Sequence, residues 1–114
     1  MYSHISKATG GSWIRIGGQV ALDEHGANVG VGNMAAQLRC CYEMVTRALA
    51  SIGLVWGNVV HIYTFTTEMD TYLAVEQAIA RDYFGSTPPP STLVEVSRLV
   101  DREWLVEVQV DAVG

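Results

Sequence analysis

The strongest constraint on the fold is the alternation of side chains along residues 104–112. In a strand, successive side chains point to opposite faces of the sheet. One face of this segment carries Trp104, Val106, Val108, Val110 and Ala112, and the other carries Leu105, Glu107, Gln109 and Asp111. A strand with one apolar and one largely polar face belongs to a sheet that is covered by helices on one side.

Three further segments are predicted to be strands. Residues 13–20 alternate, with Ile14, Ile16, Gly18 and Val20 on one face and Trp13, Arg15, Gly17 and Gln19 on the other. Residues 59–67 are rich in β-branched and aromatic side chains, which is typical of a central strand. Residues 92–97 follow Pro88-Pro89-Pro90, which cannot continue a helix or pair inside a sheet and is therefore predicted to be a stiff, extended connection.

Two amphipathic helices are predicted between these strands. Their apolar residues, which recur at steps of three and four, are Met34, Leu38, Cys41, Val45, Ala48 and Ile52 in the first helix, and Tyr72, Val75, Ile79 and Tyr83 in the second. Asn33 is a suitable N-cap for the first helix, and Asp70 or Thr71 for the second. Gly53 and Gly85 are placed to end them.

This order of elements predicts an α+β fold, a two-layer sandwich with two helices on one face of a six-stranded, mostly antiparallel sheet, if Tyr2–Lys7 forms a first strand. We expect residues 1–114 to form a single domain. The second face of such a sheet would leave Trp13, His61 and Tyr63 in water unless another copy of the chain covered them. A homo-oligomer is therefore expected.

Composition excludes several classes of function. The 114 residues are 49% hydrophobic and carry a net charge of -5, and the six arginines are scattered singly, so we expect no nucleic-acid partner. No stretch approaches the roughly 20 apolar residues needed to cross a bilayer, so we expect no membrane partner and a soluble, cytoplasmic protein. The three histidines lack metal-ligand spacing, and we expect neither a metal nor an organic cofactor.

Several short motifs, spread over residues 2–113, resemble those of the Rid (YjgF/L-PSP) family of reactive intermediate deaminases. The motifs are Gly17-Gly18-Gln19-Val20, Ala35-Ala36-Gln37, Asn58-Val59-Val60, Tyr83-Phe84-Gly85, Pro88 to Leu99 and Leu105-Val106-Glu107-Val108. In that family the corresponding places read roughly SGQ, AAQ, DVV, YFG, PARS-x-VEVARL and VEIE. The resemblance implies a chorismate-mutase-like homotrimer that hydrolyses 2-imino or enamino acids in clefts between subunits.

The resemblance also implies an arginine that holds the substrate carboxylate, and we match its position to Pro90. A planar guanidinium can bind a carboxylate bidentately, whereas proline has neither charge nor N–H donor. Loss of this contact removes about 1.5 to 3 kcal/mol, which corresponds to roughly tenfold to hundredfold weaker transition-state binding. The alternative is that three prolines only stiffen the loop. Ser91 and Thr92, which follow Pro90, are further candidate substrate-binding residues.

Four other positions are candidates for the site. Glu107 matches the glutamate to which the family assigns water positioning, and the alternative is a solvated strand carboxylate. Gly17 replaces the serine of the SGQ motif, and Tyr2 matches a tyrosine that lines the family's pocket. Arg15 shares a strand face with Gly17 and is a candidate replacement for the missing cation.

These features leave several functions open, and the chain need not be an enzyme. The first hypothesis is processing of an imine or enamine metabolite with Glu107 as the catalytic residue, with the usual 2-iminobutanoate or 2-iminopropanoate deaminase activity weak or absent. The second is a non-catalytic, metabolite-binding or regulatory trimer. A specialised pathway enzyme, such as an aminomuconate-type deaminase, a cyclase or a hydrolase, is a further possibility, whereas RNA cleavage fits the acidic composition poorly.

Overall fold

Four strands and two helices make up the computed structural model, which describes residues 3–114. The strands are β1 (Trp13–Gln19), β2 (Val59–Thr66), β3 (Ser91–Glu95) and β4 (Val106–Val113), and the helices are α1 (Met34–Ala50) and α2 (Met69–Phe84). A 3-10 turn at Trp56–Asn58 leads into β2. The strands form one sheet in the order β1-β4-β2-β3.

The sheet is mixed. β4 is antiparallel to both β1 and β2, whereas β2 and β3 run parallel and are connected through α2. In the register, Phe65 of β2 lies opposite Glu107 of β4, and Tyr63 lies opposite Thr92 of β3. The antiparallel pairing of β4 on both sides makes it a central strand, while β3 lies at an edge.

Helix α1 begins where the sequence predicts. The side chain of Asn33 accepts a hydrogen bond from the backbone N–H of Ala36 at 3.0 Å, which satisfies one of the unpaired donors of the first turn. The preceding loop requires glycine at position 30, because its φ is +65° and an added Cβ would lie 2.8 Å from the Cβ of Ala36. Gly85, with φ of +59°, follows the end of α2.

The core lies between the two helices and one face of the sheet, as the alternation in the last strand predicts. Its buried members include Leu38, Cys41, Val45, Leu49, Ile62, Val106, Val108, Val110 and Ala112. Trp56, Tyr83 and Phe84 pack around Tyr42 in edge-to-face contacts, with ring centroids 5.1 to 5.6 Å from the tyrosine ring. Residues 3–114 form no layer over the other face of the sheet.

The prediction of six strands is wrong for the described residues, which form four. Residues 3–7 of the predicted first strand are not in a strand, and Tyr2 lies outside the described residues. This segment is held by side chains: the Ser3 hydroxyl donates to the carbonyl of Pro88, and the Ser6 hydroxyl donates to that of Val60. Hydrogen bonds from side chains to single carbonyls do not build the backbone ladder that a strand needs.

Several predicted element boundaries also change, and β3 spans Ser91–Glu95 rather than residues 92–97. The N-cap of α2 is Glu68 rather than Asp70 or Thr71. β4 begins at Val106 rather than Trp104, because the preceding residues are held in a loop by other partners. The indole N–H of Trp104 donates to the side-chain oxygen of Asn28 at 2.8 Å.

Candidate functional site

Glu107 lies on the uncovered face of the sheet, above a bulge in β1. The β1–β4 register shifts between Ile16 and Gln19, so that both Gly17 and Gly18 lie on this face. The prediction that Gly18 shares the apolar face with Ile16 is therefore wrong. A Cβ at Gly18 would lie 2.6 Å from Cδ of Glu107, whereas a Cβ at Gly17 would meet nothing within 4 Å. The absence of a side chain at Gly18 is what lets the Glu107 carboxylate occupy its position.

Arg15 lies on the same face, where it binds Asp111. Its Nε is 3.3 Å from the carboxylate of Asp111, whose side chain is almost fully buried while that of Arg15 is 70% exposed. Next to this pair, the rings of His61 and Tyr63 stack with centroids 4.3 Å apart. These side chains line an open depression of about 490 Å³, together with Ser6, Ala8, Gly10, Gly11, Trp13, Val60 and Val113. Arg15 is thus partly neutralised by its own chain.

A second cavity, of about 450 Å³, lies on the helix-covered face between α2 and β3. We call it the α2–β3 cavity. Its apolar lining residues are Tyr42, Ile62, Ala80, Phe84, Pro88, Pro89 and Leu93, and its polar ones are Thr64, Tyr72, Glu76, Gln77, Arg81, Ser86 and Ser91. Its volume is within the range of about 300 to 1,000 Å³ that is typical of small-molecule sites.

Hydroxyl groups form the buried part of the polar cavity wall. Tyr72 hydrogen-bonds through its hydroxyl to Thr64 and Tyr42, and all three residues are at most 5% exposed. Burial, reinforced by the negative charge of Glu76, raises the pKa of Tyr72 to about 12. The pKa of Tyr42 is raised for similar reasons, burial first. Both phenols are therefore neutral hydrogen-bonding groups at physiological pH.

The predicted substrate-binding residues separate into two groups. Ser91 lines the α2–β3 cavity, whereas Pro90 is buried and is absent from its lining. The carbonyl of Pro90 accepts a hydrogen bond from the N–H of Ile62 at 2.9 Å and so extends the β2–β3 ladder. Thr92 faces the uncovered side, where its hydroxyl lies 3.0 Å from Nε2 of His61. The prediction for Tyr2 falls outside the described residues.

Glu107 and Ser91 do not meet within one chain. They lie on opposite faces of the sheet and on strands that are separated by β2. From the register, Glu107 lies across from Phe65 and Ser91 across from Ile62, so their Cα atoms are roughly 14 Å apart at ordinary strand spacings. A ligand that touched both would need a second copy of the chain to bring another Glu107 to the cavity.

The sequence analysis missed three residues of the cavity. Tyr72 was assigned to the apolar stripe of a helix, and nothing in the sequence distinguished Glu76 or Arg81 from other exposed helical charges. Helical spacing could indicate only Glu76, which is four residues after Tyr72 and lies on the same side of the helix, because Arg81 is nine residues, or two and a half turns, after Tyr72.

Gln37, from the Ala35-Ala36-Gln37 motif, has a structural role. Its side-chain amide donates to the carbonyls of Gly30 and Glu103, and its oxygen accepts from the N–H of Leu105 at 2.8 Å. These bonds tie α1 to the segment that enters β4. They therefore help to fix the strand that carries Glu107.

Within residues 3–114, no three or more His, Cys, Asp or Glu side chains are arranged to hold a metal ion. The two helices of this part of the chain are too short or too polar to span a membrane.

Comparison with known proteins is consistent with the motifs and the fold. The family model described as Endoribonuclease L-PSP matches residues 1–114. A RutC family protein of Synechocystis is 32% identical over 97 residues, which cover 84% of this chain and 74% of that protein. A RutC family protein of Pyrococcus horikoshii is 28% identical over 108 residues, which cover 95% of this chain and 82% of that protein.

Solved structures with the same fold include YyfB of Yersinia pestis, a Rid family protein of unknown function. Its TM-score is 0.90, with 25% identity and coverage of 99% of this chain and 86% of that one. The yjgF gene product of E. coli gives a TM-score of 0.79, with 25% identity and coverage of 93% and 84%. The chain therefore belongs to the L-PSP family, which is also called the YjgF or Rid family.

Proposed function

We propose that this protein is a homotrimer that binds a small imine, enamine or related carbonyl compound in clefts between subunits and hydrolyses it. One observation carries the proposal: Glu107 and the α2–β3 cavity lie on opposite faces of the sheet, so neither is a complete site alone. The uncovered face also exposes Trp13, which is 63% accessible, beside the His61–Tyr63 stack. Packing of subunits through this face would cover these aromatic rings.

The proposed chemistry needs no cofactor. Water adds to the imine carbon as its proton passes to a base, for which we propose Glu107, and the product is a carbinolamine. Return of a proton to nitrogen and loss of the hydroxyl proton to water allow the C–N bond to break, which releases ammonia and leaves a ketone. The protein contributes by fixing the electrophilic carbon against the water, and Gly18 supports this role because it leaves room for the Glu107 carboxylate.

We propose Ser91, rather than the Pro90 of the sequence analysis, as the position that corresponds to the family's arginine. In the pattern PARS-x-VEVARL, the arginine stands three residues before the first valine, and that valine corresponds to Val94. This count places the arginine at Ser91, which lines the cavity, rather than at buried Pro90. We therefore revise the matched position to Ser91. Neither residue carries a charge, so the proposed loss of the usual carboxylate contact stands.

Without that contact, deamination of 2-iminobutanoate is expected to be weak or absent. A serine hydroxyl can donate one hydrogen bond, whereas a guanidinium adds charge and a second donor to the same carboxylate. The difference is about 1.5 to 3 kcal/mol of transition-state binding, or roughly a tenfold to hundredfold loss of kcat/KM.

The test is hydrolysis of 2-iminobutanoate, generated in the assay, by the natural protein and by Ser91→Arg, Pro90→Arg and Glu107→Gln variants. We expect slow hydrolysis by the natural protein and a gain of at least tenfold in Ser91→Arg. Adding Glu107→Gln to Ser91→Arg should remove the gain. Rapid hydrolysis by the natural protein that survives Glu107→Gln would refute both residue assignments.

A non-catalytic trimer that binds a metabolite is the second candidate. The α2–β3 cavity favours it, because this cavity is built within one chain and does not depend on Glu107. Saturable binding of a ligand without release of ammonia, in the natural protein and in Ser91→Arg alike, would select this candidate over the first. The endoribonuclease in the family description is a weaker candidate here, since the net charge is -5.

A further inference from the structure

We propose that Arg81 and Glu76 of α2 are the positive and negative poles of the α2–β3 cavity, and that its ligand is zwitterionic with an apolar side chain. A 2-iminium acid or an amino acid has this chemistry. The inference rests on the proposed function only in assigning a small-molecule ligand to the cavity. It concerns which residues select that ligand.

The two charges are placed so that one ligand can contact both. Residues 76 and 81 are five positions apart on α2, which separates their Cα atoms by roughly 7.5 Å along the helix axis and their side-chain directions by roughly 140° around it, so both charges reach the cavity through long side chains. No ion pair links them within the described residues, although both line the cavity. A compact zwitterion has its opposite charges a few ångströms apart, so flexible Arg and Glu side chains can reach its two ends.

Like Arg47, Arg98 and Arg102, Arg81 forms no ion pair with a carboxylate among the described residues, whereas Arg15 and Arg39 do. Arg15 binds Asp111, and Arg39 binds Asp82 at 2.8 Å on the surface between the helices. Arg81 is the one basic residue among the described residues of the cavity lining. Because position 91 is serine, Arg81 is also the nearest source of the charge that the family supplies from the start of β3.

Glu76 supplies the opposite charge to the same space. Its carboxylate is close enough to the buried phenols for its charge to raise the pKa of Tyr72 and of Tyr42, after the larger effect of burial. A ligand cation beside Glu76 would also meet the Tyr72 hydroxyl. Two opposite charges that line one cavity favour a ligand that carries both charges, because each end of the ligand then has a charge-assisted hydrogen-bonding partner.

The remaining wall indicates the shape of the ligand. Ile62, Phe84 and Leu93 present apolar surface, and the volume of about 450 Å³ exceeds what a four-carbon acid fills. An aromatic or large aliphatic side chain would occupy this space. The cavity therefore suits phenylalanine-like acids better than 2-iminobutanoate.

The test uses three related probes: phenylalanine with both charges, phenylpyruvate with the carboxylate only, and 2-phenylethylamine with the ammonium only. Binding to the assembled protein is followed by amide chemical shifts in two-dimensional NMR. The variants are Arg81→Gln and Glu76→Gln, with Arg39→Gln as a matched control on α1.

We expect phenylalanine to bind most tightly, with shifts concentrated in α2 and β3. The Arg81→Gln variant should bind phenylalanine and phenylpyruvate at least tenfold more weakly, with the affinity for 2-phenylethylamine within twofold of the natural protein. The Glu76→Gln variant should instead bind phenylalanine and 2-phenylethylamine more weakly. Arg39→Gln should change none of the three by more than twofold.

Three results would each overturn the inference. The first is equal probe affinities in Arg81→Gln and Arg39→Gln, and the second is chemical-shift changes confined to the uncovered face of the sheet. The third is no binding of any probe at 20 mM, which is roughly the limit of weak, millimolar recognition. Binding that depends on both poles without ammonia release from any imine would leave the inference intact and refute the proposed hydrolysis. The two ideas therefore fail by different results.

Discussion

Replacing Gly18 with alanine should displace the Glu107 carboxylate without unfolding the protein. The added Cβ would lie 2.6 Å from Cδ and 3.0 Å from Cγ of Glu107, whereas ordinary contact begins near 3.4 Å. The carboxyl group must therefore move by roughly 0.8 Å or more, and displacements near 1 Å in a catalytic site can reduce rates about a hundredfold. Because a flexible carboxylate can move, we expect a loss of stability below about 1 kcal/mol.

The matched control is Gly17→Ala, since its Cβ would meet nothing within 4 Å. Replacing glycine in a strand should stabilise this variant by about 0.5 kcal/mol, which is a rise of roughly 2 °C in Tm. The assay is ammonia release from 2-iminobutanoate in the natural and the Ser91→Arg backgrounds, with Tm from calorimetry. We expect Gly18→Ala to lose tenfold to hundredfold in rate and Gly17→Ala at most a few-fold. Equal rates in the two variants would refute the assignment of Glu107.

Four further predictions concern stability, reactivity and assembly. Gln37→Ala should reduce the free energy of unfolding by about 3 kcal/mol in urea, because it leaves buried backbone groups unpaired; a change below about 1 kcal/mol would contradict this. Since burial raises the pKa of Cys40 and Cys41 and Cys41 is fully enclosed, iodoacetamide at pH 8 should label Cys40 at least tenfold faster, as mass spectrometry can measure. The raised pKa of Tyr72 means that the folded state holds the phenolic proton more tightly, so stability present below about pH 10 should be lost as the pH rises towards about 12, and less steeply in Tyr72→Phe. Trp13→Glu should dissociate the expected trimer in light scattering, and an unchanged mass would place the subunit interface elsewhere.

The helices and the central strand could be predicted from the sequence because their physical causes are local. The apolar stripe of α1 and the alternation of β4 each identify a buried face, and the structure buries Leu38 and Val108 as predicted. Asn33 was predicted as an N-cap because one side-chain oxygen satisfies one nearby N–H.

The rest depends on contacts between distant residues. The bulge that turns Gly18 towards Glu107 arises from the register between β1 and β4, which strict alternation along β1 cannot reveal. Strand formation by residues 3–7 requires a backbone partner, and the structure gives them side-chain bonds instead. Arg81 and Ser91 share a cavity because α2 folds back over the β2–β3 pair, so their relation is invisible until the topology is known.

We propose an intersubunit site that joins Glu107 of one copy of the chain to the α2–β3 cavity of another. It is tested most directly by a crystal structure of the assembled protein soaked with phenylpyruvate. We expect a trimer in which phenylpyruvate lies against Ser91 and Arg81. The Glu107 carboxylate of a neighbouring subunit should be close enough to the 2-oxo carbon of phenylpyruvate for one water molecule to bridge them. An assembly in which Glu107 faces bulk solvent, or a ligand bound away from α2 and β3, would contradict it.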